Sequence, residues 1–249
     1  MKRLARSILV AACGAALGSA LAAGPSGSVP VLGVRVAAES GSADLPEGWE
    51  IYLITESKPR TVYRVVELPE GAALEARADK SASGLIRKFH VDLREHPVLE
   101  WRWRVLEAPA GADLRLASGD DAPARVQLFF DGDTSSLGLG DRLFLAAART
   151  ITGREMPYAT ISYTWSEQIA VETVVENPHT ARERRLVVEN GPARPGEWTT
   201  FRRNVSEDYR RAFGEEPGEL LGVGVFTDAD NTGSSARAYY GEIRFRRAD

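Results

Sequence analysis

The sequence predicts an all-β domain, a jelly-roll-like sandwich of two sheets with one or two short helices. Three observations carry that expectation. From Val34 onward, short alternating or continuously apolar runs rich in Val, Ile, Tyr, Trp and Phe recur along the chain. Clusters of Gly, Pro, Asp and Asn separate them, the residues that turn a chain most cheaply. Only two stretches carry helical spacing, too few for a fold that needs a helix between most of its strands.

Taken in order, the runs that read as strands are Ile51 to Ile54, Val62 to Leu68, Leu74 to Ala78, Ser83 to Val91, Val98 to Val105 and Arg125 to Phe130. They continue with Ala159 to Trp165, Ala170 to Val175, Arg185 to Glu189, Thr199 to Asn204, Leu220 to Thr227 and Ala238 to Arg246. That number fills two facing sheets. Of the two helical stretches, Leu137 to Thr150 brings Leu143, Leu145 and Ala146 towards Ile151. In the other, Ser206 reads as the N-cap of a helix from Glu207 to Phe213, with Gly214 as its stop.

Lys2, Arg3 and Arg6 precede an apolar run from Ile8 to Ala23 that closes on Ala20-Leu21-Ala22-Ala23 and then Gly24-Pro25-Ser26-Gly27. This is the build of a cleavable export signal over residues 1–23, cut near Ala22 or Ala23. The run is short and rich in Ala and Gly for a membrane anchor, so no span is expected after cleavage. Val10-Ala11-Ala12-Cys13 offers a lipoprotein alternative, against which the run continues past Cys13. Residues 24–33 are expected as a flexible segment and 34–249 as one domain, in a Gram-negative-type periplasm or secreted. With Cys13 the only cysteine, no disulfide braces that domain, and its stability must come from a core. Loss of the signal's three basic residues takes the net charge from −4 to −7, which argues against nucleic acid as a partner.

Candidate sites follow from the alternation. In Leu99 to Val105 the residues Leu99, Trp101, Trp103 and Val105 share one face, while Glu100, Arg102 and Arg104 share the other. The tryptophans read first as core and, in the alternative, as a stacking platform for sugar rings. Arg102 and Arg104 would form an arginine-rich face with Arg125 and Gln127 if their two strands were neighbours. Such forks grip carboxylates, and so could hold an acidic glycan. Internal pairing, with Glu100 and Asp120 as partners, is the plainer alternative. Tyr163 and Trp165 are candidate stacking groups beside these.

The loop Asp228-Ala229-Asp230-Asn231-Thr232-Gly233 clusters hard oxygen ligands, the donor set calcium takes, with Asp228, Asp230 and Asn231 as candidate ligands. Tyr239 stands where an EF-hand needs its bidentate Glu, which rejects that motif. The alternative is a turn in which Asp and Asn bond the backbone and Gly233 adopts a positive φ. For catalysis, the sequence has no mature cysteine, no Gly-x-Ser-x-Gly, no His-Glu-x-x-His and no Walker loop, and His90, His96 and His179 have no metal-ligand spacing. What remains is carboxylate or tyrosine chemistry on a glycan, from Asp120, Asp121, Asp131, Asp133, Glu167 and Tyr163.

Several stretches also carry a resemblance. They are Leu99-Glu100-Trp101-Arg102-Trp103-Arg104-Val105, Gly119 to Val126, Ser162-Tyr163-Thr164-Trp165 and Phe226 to Gly233, joined by Arg203-Asn204-Val205, Asp208-Tyr209, Ala212-Phe213-Gly214 and Ala238 to Ile243. Over about Val34 to Phe245 the chain resembles the bacterial family catalogued as domain of unknown function 3047, which implies one intact exported domain and brings no catalytic residues. The Trp-x-Trp strand and the long alternating strands are similar, more loosely, to jelly-roll carbohydrate-binding modules. The leading expectation is therefore a noncatalytic domain that binds a polysaccharide or envelope glycan. A glycan hydrolase or lyase on the same scaffold, and an envelope protein that binds a protein partner, are the alternatives.

Overall fold

The computed structural model describes residues 27–34, 45–53, 57–152, 156–178 and 180–248. The expected export signal with Cys13, as well as His179, lie outside them. In chain order the strands are β1 (Ser28–Leu32), β2 (Glu50–Tyr52), β3 (Val62–Leu68), β4 (Gly71–Asp79), β5 (Ala82–Val91), β6 (Val98–Glu107) and β7 (Arg125–Phe130). Helix α1 (Leu139–Thr152) comes next, then β8 (Ala159–Ser166), β9 (Val174–Glu176), β10 (Glu183–Asn190), β11 (Thr199–Asn204), helix α2 (Val205–Phe213), β12 (Leu220–Asp228) and β13 (Ser235–Arg246).

The alternation of β6 shows how the sandwich closes. Leu99, Trp101, Trp103 and Val105 are buried against the facing sheet, and Glu100, Arg102 and Arg104 stay partly open on the other side. Repeated along each strand, this pattern leaves two sheets that face each other through their apolar sides. One runs β11-β6-β13-β4-β3, with β1 added to β13; the other runs β2-β5-β12-β7-β8-β10-β9. All strand pairs are antiparallel except β8 with β10.

The core centres on an aromatic cluster. Trp101 lies 5.0 Å from Phe201 in a stack, 4.9 Å from Tyr163 and 5.9 Å from Trp103 in an edge contact. The Tyr163 hydroxyl donates to Asp208 of α2 at 2.9 Å, and Arg203 closes on the same carboxylate through two nitrogens. A smaller apolar group, Leu114, Ala122, Ile169, Val175 and Val187, lies on the outer side of the seven-stranded sheet, where the 108–124 connection covers it.

Several expectations change here. Ser28–Leu32, placed in a flexible segment, pairs as an edge strand with β13. Pro30 within it removes one donor, which an edge strand tolerates. The run Ala170 to Val175 yields only the short strand Val174–Glu176, because Glu172 takes a positive φ of 68°. The N-cap of α2 is Asn204 rather than Ser206: its side chain accepts from the Glu207 N–H and donates back to the Glu207 carboxylate. Gly214 ends α2 in the left-handed region, as expected.

Candidate functional site

The outer face of the seven-stranded sheet carries a groove whose floor is set by glycine. Phe226 lies across Gly84, where a Cβ would come within 2.3 Å of the ring, and Phe129 lies across Gly224. Without a side chain at either glycine, these rings pack close against the strand backbone. Tyr52 extends the floor at 6.3 Å from Phe129. Two hollows, of about 350 and 560 Å3, share Tyr52, Phe129 and Pro157 in their walls and so form one trough. Phe144 and Leu145 of α1 wall one side, and Gln127 and Thr160 present polar groups between the rings.

At one end of the trough stands a buried charge network. Arg125, 5 % exposed, donates to Asp228 at 3.1 Å and to Asp120 at 3.0 Å. Arg185, 1 % exposed, donates to the other Asp120 oxygen and to the Leu114 carbonyl. Asp120 thus bridges two guanidiniums, and the Nε of each has no hydrogen-bond partner. Burial pushes the Asp228 carboxyl up to about 7 despite Arg125, and the charges of Asp120 and Asp121 push the same way. Arg125, flanked by those acids, is held more firmly as a cation although burial opposes it. Of the other cations along the trough, Lys58 pairs with Asp230, Arg182 with Glu215 at 2.8 Å and Lys88 with Glu50 at 3.3 Å, while Arg87 donates to the Val31 carbonyl rather than to an acid among the described residues.

The expected face of Arg102, Arg104, Arg125 and Gln127 does not exist, because β6 and β7 belong to different sheets. Arg125 and Gln127 line the trough, whereas Arg102 and Arg104 lie on the far side of the sandwich. Tyr163 is 0 % exposed, Trp165 3 %, Trp101 1 % and Trp103 0 %, so none of them can stack on a ligand. Both neighbours of β8 and the 108–124 connection close over that strand. The accessible rings of the floor, Tyr52 and Phe129, are not among the expected residues, and Phe226 beneath them is buried; their signal in the sequence is glycine at alternate positions of β12, Gly222 and Gly224, opposite bulky neighbours.

Of the candidate acids, Asp120 reaches the trough while Asp121 binds the 229–234 loop, accepting from the Asn231 and Thr232 N–H groups. Asp131 and Asp133 accept from neighbouring backbone N–H groups, and Glu167 is exposed in the turn after β8.

The loop read as a calcium candidate brings Asp228 and Asp230 together with Asp121, their oxygens within 4.8 Å of one another. Asn231 turns its amide nitrogen to the Ala117 carbonyl. These residues do not fit a calcium ion as they stand. Arg125 already pairs with Asp228 and Lys58 with Asp230, Asp121 takes three donors from the loop, and the buried Asp230 Oδ1, which has no partner, is too little for an ion that takes about six to eight oxygens. Gly233 has a positive φ of 65°, as the turn requires.

Among the described residues, no helix is long and apolar enough to cross a membrane. Among solved structures, the Emp47p carbohydrate recognition domain is similar at 12% identity, over 91% of this chain and 97% of that one, with a TM-score of 0.41. A mutant family 29 carbohydrate-binding module complexed with mannohexaose is similar at 8% identity, over 88% of this chain and 89% of that one, with a TM-score of 0.36. The K1 cleaved adhesin domain of Lys-gingipain from Porphyromonas gingivalis W83 follows at 9% identity, over 82% of this chain and 94% of that one, with a TM-score of 0.33. Overlaps this loose carry no argument about what the chain binds. A search of curated proteins returns no match. The family model described as Protein of unknown function (DUF3047) matches residues 47–244, and the chain belongs to that family.

Proposed function

We propose that this is an exported, noncatalytic glycan-binding domain, periplasmic or secreted, and that its ligand lies in the trough on the outer face of the seven-stranded sheet. The observation that carries this reading is the pair of half-buried rings Tyr52 and Phe129, tilted at 44° to each other, bordered by Gln127, Thr160 and buried Arg–Asp pairs. The C–H faces of a sugar ring suit half-buried aromatic rings, and its hydroxyls suit fixed donors and acceptors on either side. The trough is elongated, which favours a chain of sugars over a single ring.

Charge selects the ligand further. All the cations along the trough but Arg87 are paired with acids, and Arg87 turns to the Val31 carbonyl, so little positive charge is left for a polyanion and the expected glycan is neutral. The test is titration of neutral oligosaccharides, mannan- and glucan-derived, into residues 24–249, with reducing ends followed in the same samples. Binding without new ends is expected, with Phe129→Ala weakening it about tenfold through loss of ring contact. Release of ends would make the domain a hydrolase, and binding untouched by Phe129→Ala would remove the trough as its site.

A further inference from the structure

The outer face of the six-stranded sheet, on the far side of the sandwich, carries arginines in a different setting. Three of them, Arg64, Arg77 and Arg237, share the single carboxylate of Glu75, which is 0 % exposed beneath them. Arg244 and Arg246 share Glu100. Arg104 pairs with Glu70 at 2.7 Å while lying between two rings, 5.0 Å from Trp198 and 4.9 Å from Tyr239.

Among the described residues, Arg102 has no acid partner. Its guanidinium lies 4.6 Å from the centre of the Trp198 ring and runs over Gly241, where a Cβ would come within 2.5 Å of its Nε. Stacking fixes the fork while leaving its in-plane N–H groups without a carboxylate. On a chain whose net charge is −4, positive charge is thus gathered on one flat face.

We propose that this face is a second binding surface, for a carboxylated or sulfated polysaccharide, with the Arg102 fork on Trp198 at its centre. Guanidinium forks engage such groups bidentately, and several held in a plane meet an extended polymer at successive charges. A bilayer is the poorer occupant. Among the exposed large apolar side chains of the described residues, Val62 at 57 % is the one this sheet carries, and the rings near it lie under guanidiniums rather than standing out to enter lipid. The domain would then hold a neutral glycan on one side and an acidic one on the other.

The experiment titrates heparin and polygalacturonate into residues 24–249 at low and at physiological salt. Expected are affinity that falls as salt rises, a loss of about tenfold in Arg102→Ala, and partial recovery in Arg102→Lys, which keeps the charge without the fork. Gln127→Ala and Phe129→Ala, in the trough, should leave acidic-polymer affinity unchanged, and Arg102→Ala should leave neutral-glycan binding unchanged. The proposal fails if neither polymer binds, or if Arg102→Ala melts as the parent does and binds them equally well. It also fails if the trough variants abolish binding, or if phosphatidylserine vesicles bind with the same dependence on Arg102.

Discussion

The two outer faces differ in what holds their central arginines. On the seven-stranded sheet, Arg125 and Arg185 are buried under the 108–124 connection, and each is committed to carboxylates or carbonyls of the protein. On the six-stranded sheet, Arg102 lies across the Trp198 ring with no acid partner among the described residues, and Arg104 lies between Trp198 and Tyr239 while pairing with Glu70. The strands that present them have the same alternating pattern, so the difference comes from what covers each face. A covering connection removes water and makes each guanidinium depend on its acids; on the uncovered face rings share that role with acids, and at Arg102 they replace them.

The largest expected effect breaks this contrast directly. Arg125→Met leaves Asp120 and Asp228 buried without their shared cation and should cost about 3–5 kcal/mol of stability, as for other broken buried pairs. Arg102→Met, on the open face and with no acid partner among the described residues, should cost about 1 kcal/mol or less. Denaturant melts of the two variants beside the parent decide it. Equal costs would mean that cover is irrelevant to how the sandwich uses its arginines.

A smaller effect concerns pH. The Asp228 carboxyl is raised from 3.8 to about 7, so the folded state favours its neutral form. Its contribution is fully present below the ordinary carboxylate range and is lost as pH rises through about 7. Acids held low by partners, such as Glu172 by Arg203 and Arg211, act in the opposite sense and lose their contribution as pH falls below the ordinary carboxylate range. The melting temperature should therefore decline between about pH 5 and pH 8, and Asp228→Asn should flatten that decline. A parent curve flat across the window would show that Asp228 is ionised throughout.

The smallest expected effect is on metal. Because Arg125 and Lys58 already neutralise the Asp228 and Asp230 carboxylates, calcium or a chelator should leave the melting temperature unchanged. A clear rise with calcium would restore the loop as a metal site.

Much of the fold was legible in local pattern. β3, β7 and β11 run between the residues their sequences mark, since each is a β-branched or aromatic run bounded by turn residues. Trp101 and Trp103 were read first as core, and they are core. Pairing was not legible. β6 and β7 both alternate polar with apolar residues and follow one another in the chain, yet the 108–124 connection carries β7 across to the other sheet. Register is a matter of long-range contact, which a strand's own residues do not encode.

The candidate site fared worse for the same reason. Arg125, Gln127 and Asp228, candidates from the sequence, do line the trough, but beside Tyr52, Phe129 and Phe226, which come from three separate strands. Trp198 follows Pro195-Gly196-Glu197 in a connection without periodicity, where nothing in the neighbouring residues marks it as the plank under Arg102.

The edge strand β1 has one more consequence. Its pairing sets Ser28 opposite Arg246, so the two ends of the described domain lie side by side. A short linker from Arg247 to Gly27, with the chain reopened at the exposed turn between Arg194 and Glu197, would give a circularly permuted protein that keeps every strand pair. Both new ends would then lie beside Trp198, and a passenger fused there would sit against the arginine face while the trough on the other side stays open.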